Sequence, residues 1–329
     1  MTTRTETALA ATLAAALLAA PLAATSAFAA DYPERPITMI VAYSAGGGTD
    51  IAARTLVPFI EKELGDGASI AVVNRPGAGG EVGFTALAQS EPDGYTIGFI
   101  NTPNLLSIPI QRKARYDIDS FDPIANIVYD PGAFSLRPDA GISTLDELVA
   151  FAKENPGEVT YGTTGIGSDD HLAALNFERL AGVKFEHVPF SGNVDVRAAV
   201  LGGHIMMASM NVSETVQDVE DGSLVLLGQM AEERWDGAPD VPTFKEQGYD
   251  VIMGSNRGMA APAGVDPEIL EALSSAVGRA VESPEFREAA AKQDLALAYQ
   301  DREAFRATLE KLDATLETLW AEEPWMQAN

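Results

Sequence analysis

Cysteine is absent from the 329 residues, so the chain needs no disulfide and carries no lipid on an N-terminal cysteine. Histidine is nearly absent as well. His171, His187 and His204 stand at no metal-ligand spacing, which argues against a zinc centre or a serine triad. Positive charge is scarce, with 22 Lys and Arg against 48 Asp and Glu, a net charge of -26 and a pI near 4.3. No basic stripe offsets phosphate repulsion, so nucleic acid is excluded as a partner. After the first thirty residues no apolar run reaches the length of a membrane span. Nucleotide motifs are missing too. A phosphate-loop Gly-Lys-Ser/Thr occurs nowhere, and Gly46-Gly47-Gly48 puts Ile51 where a dinucleotide fingerprint needs its third glycine. Gly165-Ile166-Gly167-Ser168-Asp169 lacks the residue order of a nucleophile elbow.

The first thirty residues differ from the rest. Arg4 lies in a short polar start, an Ala/Leu run follows from Ala8 to Ala24, and Ala27 and Ala29 satisfy the small-residue cleavage rule. Residues 1–30 therefore read as a secretory signal peptide cut near Ala29/Ala30, and the mature chain is expected in the periplasm. A membrane anchor fits less well, because the run is alanine-rich and broken by Pro21. What remains, about 300 residues, suits two domains with cores of ordinary size. Its acidic residues are spread along the chain rather than gathered in a tail, which reads as a solvated surface or as adaptation to a saline habitat.

Short apolar runs alternate with helical patterns, the signature of βα units and mostly parallel sheets. Strands are expected at Ile37 to Tyr43, Ile124 to Tyr129, Val159 to Gly162, His204 to Ser209 and Asp250 to Met259, among others. Helices are expected at Thr49 to Glu63, Gly80 to Gln89, Thr144 to Asn155, Ser168 to Ala181, Asn193 to Leu201 and Val212 to Glu220, and after them at Pro267 to Ser283, Pro284 to Ala291 and Arg302 to Glu322. Ser143 or Thr144 with Glu147 forms a capping box. The Pro/Gly-rich stretch from Asp130 to Pro138 and the return near Asp250 to Pro262 mark domain crossings. Domain 1 is thus expected at 31–131 plus 254–329, and domain 2 at 132–253.

Two segments share one layout. A strand ending at Tyr43 leads through Ser44-Ala45-Gly46-Gly47-Gly48 to a helix opened by Thr49-Asp50; later, Val159-Thr160-Tyr161 leads through Gly162-Thr163-Thr164-Gly165-Ile166-Gly167 to a helix from Ser168. Each places backbone N–H groups at a helix N-terminus, where the dipole favours an anion and glycine permits close approach. One such loop is equally the mark of a tight turn. Two, one per expected domain, suggest a clamp that holds a carboxylate with amide donors.

Tyr32-Pro33-Glu34-Arg35-Pro36-Ile37, Ala45 to Arg54, Val73-Asn74-Arg75-Pro76-Gly77-Ala78-Gly79-Gly80, Pro92-Asp93-Gly94-Tyr95-Thr96, Gly165-Ile166-Gly167-Ser168 with His171, His187-Val188-Pro189-Phe190-Ser191-Gly192, Pro239-Asp240-Val241-Pro242-Thr243 and Ala261-Pro262-Ala263-Gly264 follow one pattern in order. The chain resembles the Bug family, the substrate-binding proteins of tripartite tricarboxylate transporters. The resemblance implies an α/β, two-domain periplasmic-binding-protein (type II, Venus flytrap) fold that delivers a carboxylate to a membrane transporter. It also implies contacts from Tyr43, Ala45, Gly46, Gly47 and Asp50 on the first loop and Thr163, Thr164, Gly165, Gly167 and Ser168 on the second. Tyr43 stands where the family commonly has phenylalanine, and Ala45 where it often has proline.

At the far end of the ligand, Arg257 either pairs a second carboxylate or makes a hinge ion pair. Asn211 either faces the cleft with Ser209 or caps the helix from Val212. Asp50 either meets a ligand amine or caps its own helix, while Asn74 and Arg75 shape the loop beside the pocket. The expected partners are a small carboxylate and the transporter's membrane components, with the chain a monomer and no catalytic residue, cofactor or metal. The alternatives are an exported enzyme using Ser168 with His171, or a loaded receptor for a membrane sensor.

Overall fold

The computed structural model describes residues 32–325, so the leader read at 1–30 lies outside the described residues. Strand β1 (Ile37–Val41) is apolar except at the half-buried Thr38, as befits a strand that β2 (Ile70–Asn74) and β3 (Thr96–Asn101) flank in parallel and α1 (Gly48–Leu64) packs over. Helix α2 (Glu81–Ala88) follows β2, and α3 (Asn104–Gln111) follows β3. The 16-residue β4 (Phe121–Leu136) comes next and is buried almost throughout.

Helix α4 (Leu145–Glu154) starts at a capping box in which Thr144 Oγ1 accepts from Glu147 N–H and Glu147 accepts from Thr144 N–H, each at 3.2 Å. Then come β5 (Thr160–Thr163), α5 (Asp169–Ala181), β6 (Glu186–Pro189), α6 (Asn193–Leu201), β7 (Met207–Asn211), α7 (Val216–Glu220) and β8 (Val225–Gln229). The chain returns as β9 (Gly254–Pro262) and closes with α8 (Pro267–Glu282), α9 (Pro284–Ala291), β10 (Leu297–Gln300) and α10 (Arg302–Glu322). Helices α8 and α9 open on Asp266-Pro267 and Ser283-Pro284, a capping side chain followed by a proline that has no N–H to lose.

The sheet runs β2-β1-β3-β9-β4-β7-β5-β6, with β10 and β8 also paired to β4. Pairing is mixed, which corrects the expectation of mostly parallel sheets. The β1–β2, β1–β3, β5–β6 and β5–β7 pairs are parallel, whereas β9 is antiparallel to β3 and β4, and β4 is antiparallel to β7, β8 and β10. The antiparallel members are the strands by which the chain leaves one half of the sheet and returns. Up to Pro131, β4 pairs with β9; from Gly132 it pairs with β7 and β8. Gly132 N–H bonds to Met253 O at 2.9 Å, and a Cβ on Gly254 would sit 2.5 Å from Asp130 O, so the two crossings run too close for a side chain there.

Each half of the sheet has its own apolar cluster. One gathers Phe84, Tyr116, Phe121, Phe305 and Trp325; the other packs Phe134 edge-on against Phe177 and Phe244 at centroid separations of 5.3 and 5.2 Å.

Candidate functional site

Both glycine loops reach one small cavity. Tyr43, Gly47, Gly48 and Thr49 line it from the β1–α1 turn, Thr164 and Asp169 from the β5–α5 turn, and Asn211, Glu214 and Arg257 close it behind. Its volume is about 30 Å3, room for about one water. A larger cavity of about 300 Å3 adjoins it, lined by Ala45 to Gly48 and by Asn193, Val194 and Arg197.

The loop amides are not the free donors that the glycine pattern suggested. Gly46 N–H donates to Asp50 Oδ2 at 2.8 Å, Gly47 N–H to Ser44 O at 3.4 Å and Gly48 N–H to Glu214 Oε1 at 2.7 Å. On the second loop Gly165 N–H donates to Thr163 Oγ1 at 3.1 Å, Gly167 N–H to His171 Nδ1 at 3.2 Å and Ser168 N–H to Gly165 O at 3.3 Å. Buried amides find acceptors, and here the chain supplies them itself. The glycines remain necessary where backbone and space demand it. Gly165 (φ +131°) packs against Gly79 Cα, and a Cβ on Gly48 would lie 2.1 Å from Arg257 Nη1.

The remaining expected contacts divide. Tyr43 lies in the wall, with its hydroxyl donating to Gly79 O at 3.3 Å; burial, then the Asp169 charge, push its pKa well up, so it stays a neutral phenol. Asp50 lies apart from both cavities. Its carboxylate accepts from Arg54 Nε, Asn74 Nδ2 and Gly46 N–H, which outweighs the upward push of burial and lowers its pKa, so it braces the loop. Thr163 and Ser168 are fully buried behind the second loop. Ser168 Oγ accepts from His171 N–H at 3.1 Å, capping α5, and His171 is stacked on His187 with burial holding its pKa down near 3. A nucleophile and base would instead share a hydrogen bond from hydroxyl to ring nitrogen.

Asn211 does not cap the turn that follows β7. Its Nδ2 donates to Asp169 Oδ2 at 2.7 Å and Asp130 O at 2.9 Å, and its Oδ1 accepts from Arg257 Nη2 at 2.9 Å. Arg257 is 2% exposed and makes the buried ion pair: its Nη2 lies 2.9 Å from Asp130 Oδ2 and 3.4 Å from Glu214 Oε2. Burial works against this charge, but the carboxylates of Glu214, Asp130, Asp169 and Asp170 outweigh it and raise its pKa. Nη1 is buried and has no hydrogen-bond partner, on a residue that lines the cavity. Three buried carboxylates and the part-buried Glu214 thus surround one guanidinium. Burial pushes Asp130 and Asp169 up to about 6, and Asp170 well above the usual range.

Sequence reading missed Glu214, Asp169, Asp170, Asp130, Asn101 and Asn193. Asp169-Asp170 could have been noticed as an acidic pair in the first turn of a helix behind a glycine loop, but that signal is shared by solvated helix starts.

A site at the junction of two sheet halves, walled by two strand–glycine-loop–helix turns, defines the periplasmic binding-protein class of type II fold. Residues 52–313 match the family described as tripartite tricarboxylate transporter family receptor, and the chain belongs to that family. It is 36% identical over 293 residues, 88% of each chain, to the UPF0065 protein in the gbd 5′ region of Cupriavidus necator. Among solved structures it is similar to a TctC solute binding protein from Polaromonas without ligand (36% identity, TM-score 0.66, 89% of this chain and all of that one). It is similar also to MatC from Rhodopseudomonas palustris with bound malate (26% identity, TM-score 0.81, 88% of this chain and 99% of that one).

Proposed function

We propose that the chain is an extracytoplasmic solute-binding receptor that takes a small organic carboxylate into the cleft between residues 31–131 plus 254–329 on one side and 132–253 on the other. It acts in the periplasm after loss of its leader and hands the solute, chemically unchanged, to the membrane components of a tripartite tricarboxylate transporter. The observation that carries this reading is the convergence of the two glycine-loop turns, one from each half of the sheet, on one cavity.

A cavity of about 30 Å3 is too small for any organic acid, so a solute seated between the two loops needs the halves to part. Along the sheet β4 pairs on both sides, with β9 up to Pro131 and with β7 and β8 from Gly132, and the chain crosses back just before β9. Whole-chain superposition supports such a hinge: the ligand-free Polaromonas protein, though nearer in sequence, fits less well than the malate-bound one. A rotation of one half against the other would produce such an inversion. A solute touching both halves binds the closed form better and draws the equilibrium toward it.

The test is a thermal-shift screen of the mature protein against mono-, di- and tricarboxylic acids, with the acid recovered afterwards. A ligand at a hundred times its Kd stabilises the native state by about 2.7 kcal/mol. At least one acid should raise the melting temperature and be recovered intact. No shift with any acid, or chemical conversion of the acid, would overturn the reading.

A further inference from the structure

The N-terminus of α1 and the guanidinium of Arg257 together form the place where a ligand carboxylate would be expected, and a carboxylate is already there. Glu214, from the turn after β7 and 166 residues away from Gly48, accepts at Oε1 from the Gly48 N–H at 2.7 Å and at Oε2 from Asn193 Nδ2, and lies 3.4 Å from Arg257 Nη2. Its position is held from behind. Ser213, its neighbour, donates N–H and hydroxyl to Asp130, which itself pairs with Arg257 at 2.9 Å. The favourable end of a 17-residue helix is thus taken by the chain itself.

What the cavity offers a ligand is therefore mostly acceptors. Arg257 Nη1 is the single unpartnered cationic donor among the described side chains that line it. Against it stand Asn193 Oδ1 and Asn101 Oδ1, both without partners, each on a side chain more than nine-tenths buried. The Asn193 amide is fixed in orientation, since only its NH2 can donate to the Glu214 carboxylate. Asp169 and Glu214 add two carboxylates to the same wall, and among the described residues no group of three His, Cys, Asp or Glu could hold a metal ion. Buried acceptors without donors are costly, so the arrangement is complete only with a donor-rich cation on that side.

We propose that Glu214 is the specificity-determining residue of this cleft: it supplies internally the carboxylate that the α1 end and Arg257 would otherwise take from a solute, and so matches the cleft to an acid bearing one carboxylate and one ammonium rather than to a dianion. The solute carboxylate takes Arg257 Nη1, and its ammonium faces Asn193 Oδ1, Asp169 and Glu214. This rests on the carboxylate-receptor reading above.

The experiment compares Kd values by calorimetry for matched acids of four to six carbons: the dicarboxylates, the amino acids carrying an ammonium in place of one carboxylate, and the plain monocarboxylates. The wild-type protein should bind its best amino acid at least tenfold more tightly than any dicarboxylate. The isosteric Glu214→Gln protein, which keeps an acceptor for Gly48 N–H, should lose that preference. Dicarboxylates bound by the wild type as tightly as amino acids would overturn the proposal and leave the receptor reading standing. No binding by any acid would overturn both. The wild-type comparison decides the matter even if the variant does not fold.

Discussion

Replacing Arg257 by methionine removes the cation from a cluster of three buried carboxylates and the part-buried Glu214 while roughly preserving volume. In the native protein the guanidinium meets the buried Asp130 at 2.9 Å, the buried Asn211 at 2.9 Å and the part-buried Glu214 at 3.4 Å. Breaking a buried pair by deleting one partner costs about 3–5 kcal/mol, because the other charge is left uncompensated. At about 2 °C per kcal/mol, the low end of the range for a chain of this size, the melting temperature should fall by about 6–10 °C at pH 7.5. The deficit should shrink as the pH drops. Asp130 and Asp169 have folded-state pKa values raised by burial above the unfolded ones, so the folded state takes up protons first and the repulsion is relieved below about pH 6. Differential scanning fluorimetry of both proteins from pH 5 to 8 measures this. Equal melting temperatures at pH 7.5, or a deficit that grows on acidification, would refute the reasoning.

Other consequences are simpler. Asp130 and Asp169 sit at about 6 against an ordinary 3.8, so wild-type stability should fall as the pH rises through that window, by up to about 3 kcal/mol per group. Asp169→Asn should flatten the curve, and a flat wild-type curve would contradict the burial argument. Gly48→Ala should abolish solute binding, since its Cβ would fall on Arg257 Nη1 and Glu214 Oε1, whereas Gly47→Ala, with nothing nearer than 3.5 Å, should bind within a few-fold of wild type. The two Kd values check this. A net charge of -26 repels itself, so molar salt should raise the melting temperature; no gain across a salt series would remove both self-repulsion and saline adaptation from the account.

Much of the fold was legible locally. Helices α9 and α10 begin where a capping Ser283 or Asp301 precedes them, and α6 spans the expected Asn193 to Leu201. Strand β4 was read too short because Pro131 and Gly132 look like a break. In the structure the Gly132 N–H finds Met253 O, and the strand passes straight from one half of the sheet to the other. Helix α3 was not expected, since Pro103 and Pro109 bracket a short apolar run. The site was legible in part. Glycine spacing located both turns, but the acceptors that occupy their amides come from elsewhere, Glu214 above all, and no local pattern encodes a contact 166 residues long.

The claim at the centre is that the solute sits between the two glycine-loop turns that wall the cavity. Glycine-selective 15N labelling reads it directly, through amide spectra of the mature protein titrated with its most stabilising acid. Gly47, Gly48 and Gly165 should shift and saturate together, while Gly65, Gly222 and Gly248, which have open space around them, should stay in place. Saturable binding that leaves both loops' glycine signals unmoved would contradict it.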